Sequence, residues 1–281
     1  IIHYLKHHEK PDFVHLSNAL LLGLAHRIHN ELGIPVVCSL QDEDVWINAM
    51  EQSWQERMWN VMSEKAQDVA AFVAVSEYFG SLMKKKMNIP DDKIHVIPIG
   101  ADPENYRFNI PQLDPPVIGY LSRMNEENGF EILIDAFIQL KQNPKFADAQ
   151  LRVSGGKTGD DKRFLKKQNG KLEKMGFFKD IEYFEDFKSK VSIDFFDGLS
   201  VLSVPVLQGE AFGLYQLEAL ASGIPIVQPN LAAFPEIAKV SGGGVVYEPN
   251  DAKSLSAKWK EVLADPEELK KMGMNGRKSV E

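Results

Sequence analysis

The sequence has few of the features that mark disulfide-stabilised, membrane-spanning or nucleic-acid-binding proteins. Its single cysteine, Cys38, cannot form an internal disulfide, so we expect a reducing compartment, the cytoplasm. The longest aliphatic run, ALLLGLA over 19–25, is far shorter than the roughly 20 residues that span a bilayer. The net charge of −8 argues against extended electrostatic binding of nucleic acid. A phosphate group would have to be bound locally.

The chain is long and apolar enough for two domains. Its 281 residues correspond to about two domains, and 44% hydrophobic residues suffice for a core in each. The opening stretch IIHYLKHHEK has no Met and no signal-peptide pattern, which indicates a fragment that begins inside a longer protein.

Short apolar runs alternate with amphipathic stretches along the whole chain, which predicts an α/β protein with parallel sheets. We expect two Rossmann-like halves, over 1–105 and 117–281, joined by a Pro- and Asn-rich linker over 106–116. In the second half the predicted strands are 117–121, 150–154, 181–184, 199–204, 225–228 and 244–247. The predicted helices there are 129–141, 160–175, 193–197, 214–221, 233–239, 252–264 and one from 266. In the first half the predicted strands are 13–16, 35–40, 71–75 and 95–98, with helices over 20–32, 53–66 and 78–87.

The stretch SVPVLQGEAFGLYQLEALASGIPIVQPN, over 203–230, carries two carboxylates around a glycine turn. Ligands of open α/β sheets bind beyond the carboxyl ends of the strands, where a helix N-terminus offers unpaired amides. The backbone amides of Phe212, Gly213 and Leu214 are therefore candidates to bind a diphosphate. Glu218 would lie one to two turns into the helix, near the depth of a nucleotide ribose.

Residues 210–225 resemble the Glu-x7-Glu motif of retaining glycosyltransferases of the GT-B fold, particularly family 4. The resemblance implies two Rossmann-like domains, the first incomplete at its N-terminus. It implies that Glu210 contacts the donor sugar and Glu218 the ribose, with Ala211 in the donor-binding turn between them. The alternative is a helix-capping acid followed by a surface acid.

A second segment, IGYLSRMNEENGFEILIDAF from Ile118, resembles the first strand, turn and helix of the family's donor domain. Arg123 falls on the family arginine that contacts the donor diphosphate, a role that suits a guanidinium. Asn128 stands where the family has lysine, so one expected cation is absent. Lys157, in the turn SGGKTG, is a further donor-binding candidate, and a solvated turn lysine is the alternative.

The first half resembles the family's N-terminal domain over PVVCSLQDEDVWINAM, from Pro35, and over 69–102. Gln41 occupies a position where many members have histidine, and a glutamine cannot exchange a proton near neutral pH. Asp42 and Asp44, with Gln41, are acceptor-side candidates. The alternatives for the acidic triplet 42–44 are a divalent-metal site, a helix cap and a solvated turn.

Arg163, Lys167, Lys171 and Lys174 form a basic stripe at helical spacing. A solvated face is one interpretation, and attraction to an anionic membrane surface that holds a lipid-linked acceptor is the other.

Together these features predict a retaining hexosyltransferase of polysaccharide biosynthesis that uses a UDP or GDP type of nucleotide sugar and a saccharide or lipid-linked acceptor. Glu210 and Arg123 are its predicted catalytic residues. We expect no metal and no cofactor, because the resemblance implies metal-independent chemistry. The alternative, prompted by Asn128 and Gln41, is a module that binds sugar nucleotides without turnover.

Overall fold

The structure is a computed structural model that describes residues 1–184 and 191–281, with the backbone alone for 191–193. The described chain forms two compact units, Ile1–Ile99 and Gly100–Glu281. Residues 100–105, assigned to the first domain by the sequence prediction, belong to the second unit, as does the predicted linker 106–116.

The first unit is a four-stranded parallel sheet with helices between its strands. The strands pair in the order β1-β2-β3-β4. Their bounds are β1 Val14–Leu16, β2 Val36–Leu40, β3 Ala71–Ala74 and β4 Ile94–Val96. The helices are α1 Ile2–Tyr4, α2 Ala25–Leu32, α3 Glu43–Asn48, α4 Gln52–Lys65 and α5 Glu77–Met87.

Two features of this unit next to the acidic triplet 42–44 differ from the prediction. The stretch Ala19–Leu24 is a 3₁₀-helix that precedes α2, where a continuous α-helix was expected. Helix α3 was not predicted at all, because its six residues are too few to show a helical period. It begins directly after Asp42, inside the acidic triplet.

The second unit contains six strands and seven α-helices within the described residues. The strands are β5 Val117–Leu121, β6 Gln150–Ser154, β7 Ile181–Phe184, β8 Val201–Leu202, β9 Ile226–Pro229 and β10 Gly244–Tyr247. The helices are α6 Phe130–Lys141, α7 Lys162–Met175, α8 Val191–Phe196, α9 Leu214–Ala221, α10 Phe234–Ser241, α11 Ala252–Leu263 and α12 Pro266–Val280.

The strands of the second unit form one parallel sheet in the order β10-β9-β8-β5-β6-β7. This confirms the predicted α/β fold class. Strand β8 is shorter than the predicted 199–204. Hydrogen bonds from Ser200 N to Val117 O and from Ser203 N to Gly119 O extend its pairing with β5 at both ends. The central strand β5 is buried except at its last residue, as expected for a sheet covered on both faces.

The core on one side of this sheet is formed largely by α6 and α11. Phe130, Leu133, Ile134 and Phe137 of α6 are fully buried at helical spacing. Trp259 of α11 is also fully buried, and its indole Nε1 donates a hydrogen bond of 2.9 Å to the Ser203 hydroxyl. This bond fixes the start of the loop between β8 and α9.

Among the described residues, no helix combines the length and the apolar character needed to cross a bilayer.

Candidate functional site

The chain order of the sheet reverses at β5, which lies between β8 and β6. Such a switch point leaves a crevice beyond the carboxyl ends of the strands, because the two adjoining loops depart to opposite sides. The loops here are 122–129, after β5, and 203–213, after β8. They contain five of the predicted donor-binding residues, while Leu214 and Glu218 follow in α9 and Lys157 lies in the turn after β6.

Glycines allow these loops to approach each other backbone to backbone. Gly129 has φ +70°, and a Cβ there would lie 1.8 Å from the carbonyl oxygen of Pro205. Nearby, Leu207 N donates to Glu127 O at 3.0 Å. Gly155, with φ +139°, lies against the backbone of Ser122 in the same way, with 1.8 Å from a Cβ to the Ser122 oxygen. The loops after β5, β6 and β8 therefore form one contiguous surface.

Arg123 lies in the first of these loops and is already paired. Its Nε and Nη2 donate to the two oxygens of Asp161, each at 3.1 Å, and Nη2 also donates to Thr158 Oγ1 at 2.9 Å. The guanidinium lowers the pKa of Asp161, while the Arg123 side chain remains 45% exposed. The arginine is held in place by a carboxylate that competes with any incoming anion.

The prediction placed the following helix over 160–175, but α7 begins at Lys162. The backbone N of Thr158 donates to Asp161 Oδ2 at 2.7 Å, which completes a capping box around a 3₁₀ turn, Gly159–Asp161. Asp161 therefore caps the turn and binds Arg123 at once.

Asn128 supports the backbone of the Arg123 loop. Its Nδ2 donates to Ser122 Oγ at 2.9 Å and to the Arg123 carbonyl at 3.2 Å. The buried Tyr120 hydroxyl donates to the same carbonyl at 2.8 Å. An uncharged amide thus fixes this loop, in the place where the family resemblance led us to expect a cation.

Helix α9 presents its N-terminus at the other side of the switch point. It begins at Leu214 after Gly213, which has φ +83°, a left-handed conformation that favours glycine. The amides of a first helical turn have no partner within the helix, so they can bind an anion. Ala211 and Phe212 are buried, while Leu214 is exposed.

Glu210 lies at the entrance to this helix and is half-buried. A Cβ on Gly213 would be 2.9 Å from Glu210 Oε2, so the carboxylate covers the glycine. Burial and then the negative charge of Glu210 raise the pKa of Tyr215. Burial and the negative charge of Glu210 also raise the pKa of Tyr120, and a side-chain hydrogen bond with Ser122 partly offsets this increase. Glu210 therefore lies close to both tyrosines, and through Tyr120 close to the Arg123 loop.

Glu218 lies in α9, one turn after its first residue Leu214, and is hydrogen-bonded to Tyr106. The Tyr106 hydroxyl donates to Glu218 Oε1 at 3.0 Å. Burial raises the pKa of Glu218, and the hydrogen bond from Tyr106 partly offsets the increase. Sequence reasoning missed Tyr106, because nothing in the residues around it signals a partner 112 positions away.

Lys157 is exposed in the turn after β6. It lines a cavity of about 300 Å³ together with Met124, Gly155, Gly156 and Tyr183. Met124 follows Arg123 directly, so the cavity adjoins the Arg123 loop.

The acceptor-side candidates lie at the carboxyl end of β2, in the first unit. Gln41 Nε2 donates to the Ser17 carbonyl at 3.1 Å. Asp42 is exposed with φ +54° and precedes α3. Asp44 is half-buried, and burial followed by the charge of Asp42 raises its pKa.

A solvated turn was one interpretation of the acidic triplet, and for Glu43 it is wrong. This carboxylate is fully buried and accepts hydrogen bonds from Ala19 N at 2.7 Å and Gln41 N at 2.8 Å. Buried amides require acceptors, and Glu43 supplies them for two segments at once. Among the described residues no group of His, Cys, Asp or Glu side chains is arranged to hold a metal ion.

A fully solvated face is likewise wrong for Lys171 of the basic stripe on α7, whose side chain is 28% exposed, whereas that of Lys167 is 64% exposed. Lys167 and Lys171 pair with Glu131 of α6 at 3.1 and 2.8 Å, and Lys171 also pairs with Asp135 at 2.7 Å. Lys171 thus contacts α6 through two carboxylates, while Lys167 makes a solvent-exposed ion pair.

Matches to two protein families together cover nearly the whole chain. Residues 102–279 match the model described as glycosyl transferases group 1, and residues 1–105 match that of glycosyltransferase family 4. A relative, the MMP alpha-(1->4)-mannosyltransferase of Mycolicibacterium hassiacum, is 23% identical over 95% of this chain and 65% of its own length. The lipopolysaccharide core biosynthesis mannosyltransferase LpsB of Rhizobium meliloti is 28% identical over 51% of this chain and 40% of its own. The chain thus spans about two thirds or less of these relatives.

Solved structures have the same architecture. HepE of Anabaena, in complex with UDP, superposes with a TM-score of 0.83 at 17% identity, over 99% of this chain and 75% of its own. Sucrose-phosphate synthase of Thermosynechococcus elongatus gives a TM-score of 0.80 at 18% identity, over 99% and 70%. These likenesses confirm the expected GT-B fold of two Rossmann-like domains. With the family model matching well over half of the chain, this protein belongs to the group 1 glycosyl transferases.

Proposed function

We propose that this chain carries the donor-binding domain and the acceptor-side residues of a retaining glycosyltransferase. It would move a hexose from a nucleotide-diphosphate sugar to a saccharide or lipid-linked acceptor. The observation that carries the proposal is the placement of Glu210 and Glu218 on either side of the α9 N-terminus, at the switch point of the sheet. The diphosphate of a sugar nucleotide would lie between the loop after β5 and the loop after β8, and would contact both.

In this proposal the diphosphate leaving group binds between Arg123 and the amides of Phe212, Gly213 and Leu214. Cleavage of the sugar–phosphate bond pushes negative charge onto the diphosphate, and preorganised donors stabilise that charge without having to reorient. Glu210 would orient the hexose and Glu218 the ribose hydroxyls. Lys157 would approach the same ligand from the turn after β6. No metal or other cofactor is required, since the cation role falls to Arg123.

The names of relatives and structural neighbours support a nucleotide sugar and leave its base open. One relative is a GDP-mannose-dependent mannosyltransferase of Mycolicibacterium smegmatis, whereas HepE is solved with UDP-glucose. The donor test is therefore a calorimetric panel of UDP and GDP, run with and without EDTA. We expect one of them to bind, with EDTA having no effect.

Two variants test the site assignment. Glu218→Ala and Arg123→Ala are each expected to weaken binding of the preferred nucleotide about tenfold or more, the usual cost of losing a charge-assisted hydrogen bond. Matched controls are Glu173→Ala, on the exposed side of α7, and Arg27→Ala, in the first unit, neither of which should change the affinity. Unchanged binding in both test variants would show that the donor site lies elsewhere.

A second candidate function is binding of sugar nucleotides without turnover. The observation that favours it is that Asn128 and Gln41 are engaged in uncharged hydrogen bonds to the chain's own backbone carbonyls. Incubation of the full-length protein with the preferred sugar nucleotide and a saccharide panel distinguishes the two. Binding without any glycosidic product would favour this module over the transferase.

A further inference from the structure

Tyr106 connects the segment before β5 to the helix that carries Glu218. Its hydroxyl donates to Glu218 Oε1 at 3.0 Å, and its ring is half-buried. The ring meets the fully buried Phe196 edge to face, with 6.3 Å between ring centroids. Packing of this kind restricts the ring to one orientation and so directs the hydroxyl at the carboxylate.

Arg277 of α12 anchors the segment that contains Tyr106. Its Nη1 donates to three carbonyl oxygens, those of Pro103 at 2.8 Å, Tyr106 at 3.2 Å and Ala221 at 2.6 Å. Ala221 is the last residue of α9. A single guanidinium therefore ties the backbone of Tyr106 to the helix that bears its hydrogen-bond partner.

A second anchor lies just after Tyr106. Asn109 N donates to the Ser222 carbonyl at 2.8 Å. Gly223 has φ +75°, and a Cβ there would lie 2.6 Å from the Asn109 oxygen, so only glycine permits this approach. Backbone on both sides of Tyr106 is thus fixed against the C-terminal end of α9.

The proton in this hydrogen bond belongs to the tyrosine. Burial, then the charge of Glu218 and the hydrogen bond to it, raise the pKa of Tyr106 to about 12. The phenol consequently remains protonated and donates the hydrogen bond across the physiological range. With Oε1 held, the second oxygen has a fixed direction.

We propose that Tyr106 is a positioning residue that orients the Glu218 carboxylate for the ribose hydroxyls of the donor, and so contributes to selection of ribonucleotides. The inference rests on the proposed function, because it requires a nucleotide at Glu218. A carboxylate fixed in advance loses less rotational freedom when it accepts the ribose hydroxyls, which strengthens binding of ligands that carry them. A nucleotide without these hydroxyls gains nothing from that orientation.

The test is a cycle of two proteins and two ligands, measured by titration calorimetry. The ligands are the preferred nucleotide of the UDP and GDP panel and its 2′,3′-dideoxy analogue, and the proteins are wild type and Tyr106→Phe. We expect Tyr106→Phe to weaken the ribonucleotide about three- to tenfold, a typical effect of one hydrogen bond, and to leave the dideoxy analogue unchanged. The matched control is Tyr4→Phe, which removes an exposed tyrosine–glutamate hydrogen bond in the first unit and should change neither affinity.

Two further readouts separate orientation from a general structural role. Loss of the Tyr106 hydrogen bond should raise the pKa of Glu218, so the acid-side decline in ribonucleotide binding should move to higher pH in Tyr106→Phe. Arg277→Met leaves the Tyr106 ring intact and should give the same selective loss, since it releases the anchored backbone.

Equal losses for both ligands in Tyr106→Phe, or no loss for either, would overturn the inference while leaving the proposed function in place. Failure of wild type to bind either UDP or GDP, or full binding by both Glu218→Ala and Arg123→Ala, would overturn the proposed function and the inference together. Full binding by Glu218→Ala alone would overturn the inference. Unaltered ligand discrimination in Arg277→Met would contradict the anchoring step.

Discussion

Arg123 and Glu218 are both assigned to one ligand, yet the structure prepares them in opposite ways. Arg123 is nearly half exposed, and a carboxylate from the same unit already neutralises it. Glu218 is partly desolvated, its pKa is raised by burial, and its partner is the neutral phenol of Tyr106. The cation is thus held by an ion pair, whereas the anion is held by a neutral donor.

The difference determines which interactions each residue would lose when a nucleotide binds. A diphosphate at Arg123 must share or displace Asp161, so binding there depends on the balance of two anions and on ionic strength. Ribose hydroxyls at Glu218 add to a carboxylate whose hydration has already been reduced. We therefore expect salt to affect the first contact and pH to affect the second.

The largest effect is expected where the two regions meet. Gly129→Ala places a Cβ against the Pro205 carbonyl at a left-handed φ, so the loops after β5 and β8 must separate. We expect a loss of about 2–4 kcal/mol in unfolding free energy, together with weaker binding at both regions. Chemical denaturation and nucleotide titration would measure these losses.

Gly170→Ala is the matched control for that substitution. Gly170 lies within α7 with open space around its Cβ position, so alanine there should raise stability by about 0.5–1 kcal/mol. If Gly129→Ala were as stable and as active as wild type, the loops would not depend on this close approach.

An intermediate effect is expected when Asp161, the carboxylate paired with Arg123, is replaced by a neutral side chain. Asp161→Asn keeps an acceptor for the Thr158 amide and removes the negative charge beside the guanidinium. We expect the nucleoside diphosphate to bind about three- to tenfold more tightly at low salt, with the gain shrinking as salt is added. Weaker binding in this variant would instead show that Asp161 is needed to orient Arg123.

The smallest effect is expected from pH. The raised pKa of Glu218 means that this carboxylate protonates at higher pH than an ordinary glutamate, whereas the lowered pKa of Asp161 keeps its pair with Arg123 intact to lower pH. On acidification below neutral pH, the preference for a ribonucleotide over its dideoxy analogue should therefore begin to fall at a higher pH than an ordinary glutamate would give. The ratio of the two affinities removes the ionisation of the phosphates, and a constant ratio would contradict the role given to Glu218.

Residues close in sequence were the ones that sequence reasoning could place. The spacing of Glu210, Gly213 and Glu218 sets their positions around one helix N-terminus, and the structure places them there. The parallel α/β class was readable from the sequence, because most strands of the second unit are short, largely apolar runs. Boundaries shifted by a few residues where a turn, such as Gly159–Asp161, precedes a helix.

The partners of those residues could not be read from the sequence. Asp161 lies 38 positions from Arg123 and Tyr106 lies 112 positions from Glu218, and only the folded chain brings them together. Glu43 gave a misleading signal, because an acidic triplet is typical of solvent-exposed turns while its middle residue is a buried acceptor for two backbone amides. Long-range hydrogen bonds of this kind have no local sequence signature.

The bond between Trp259 and Ser203 has a practical consequence for spectroscopy. Trp259 is the only tryptophan of the second unit, and its indole N–H is tied to the first residue of the loop that leads to Glu210. The other three tryptophans, Trp46, Trp54 and Trp59, all lie in the first unit. With those three replaced by phenylalanine, the emission of Trp259 would become a built-in optical reporter of ligand-induced movement in that loop.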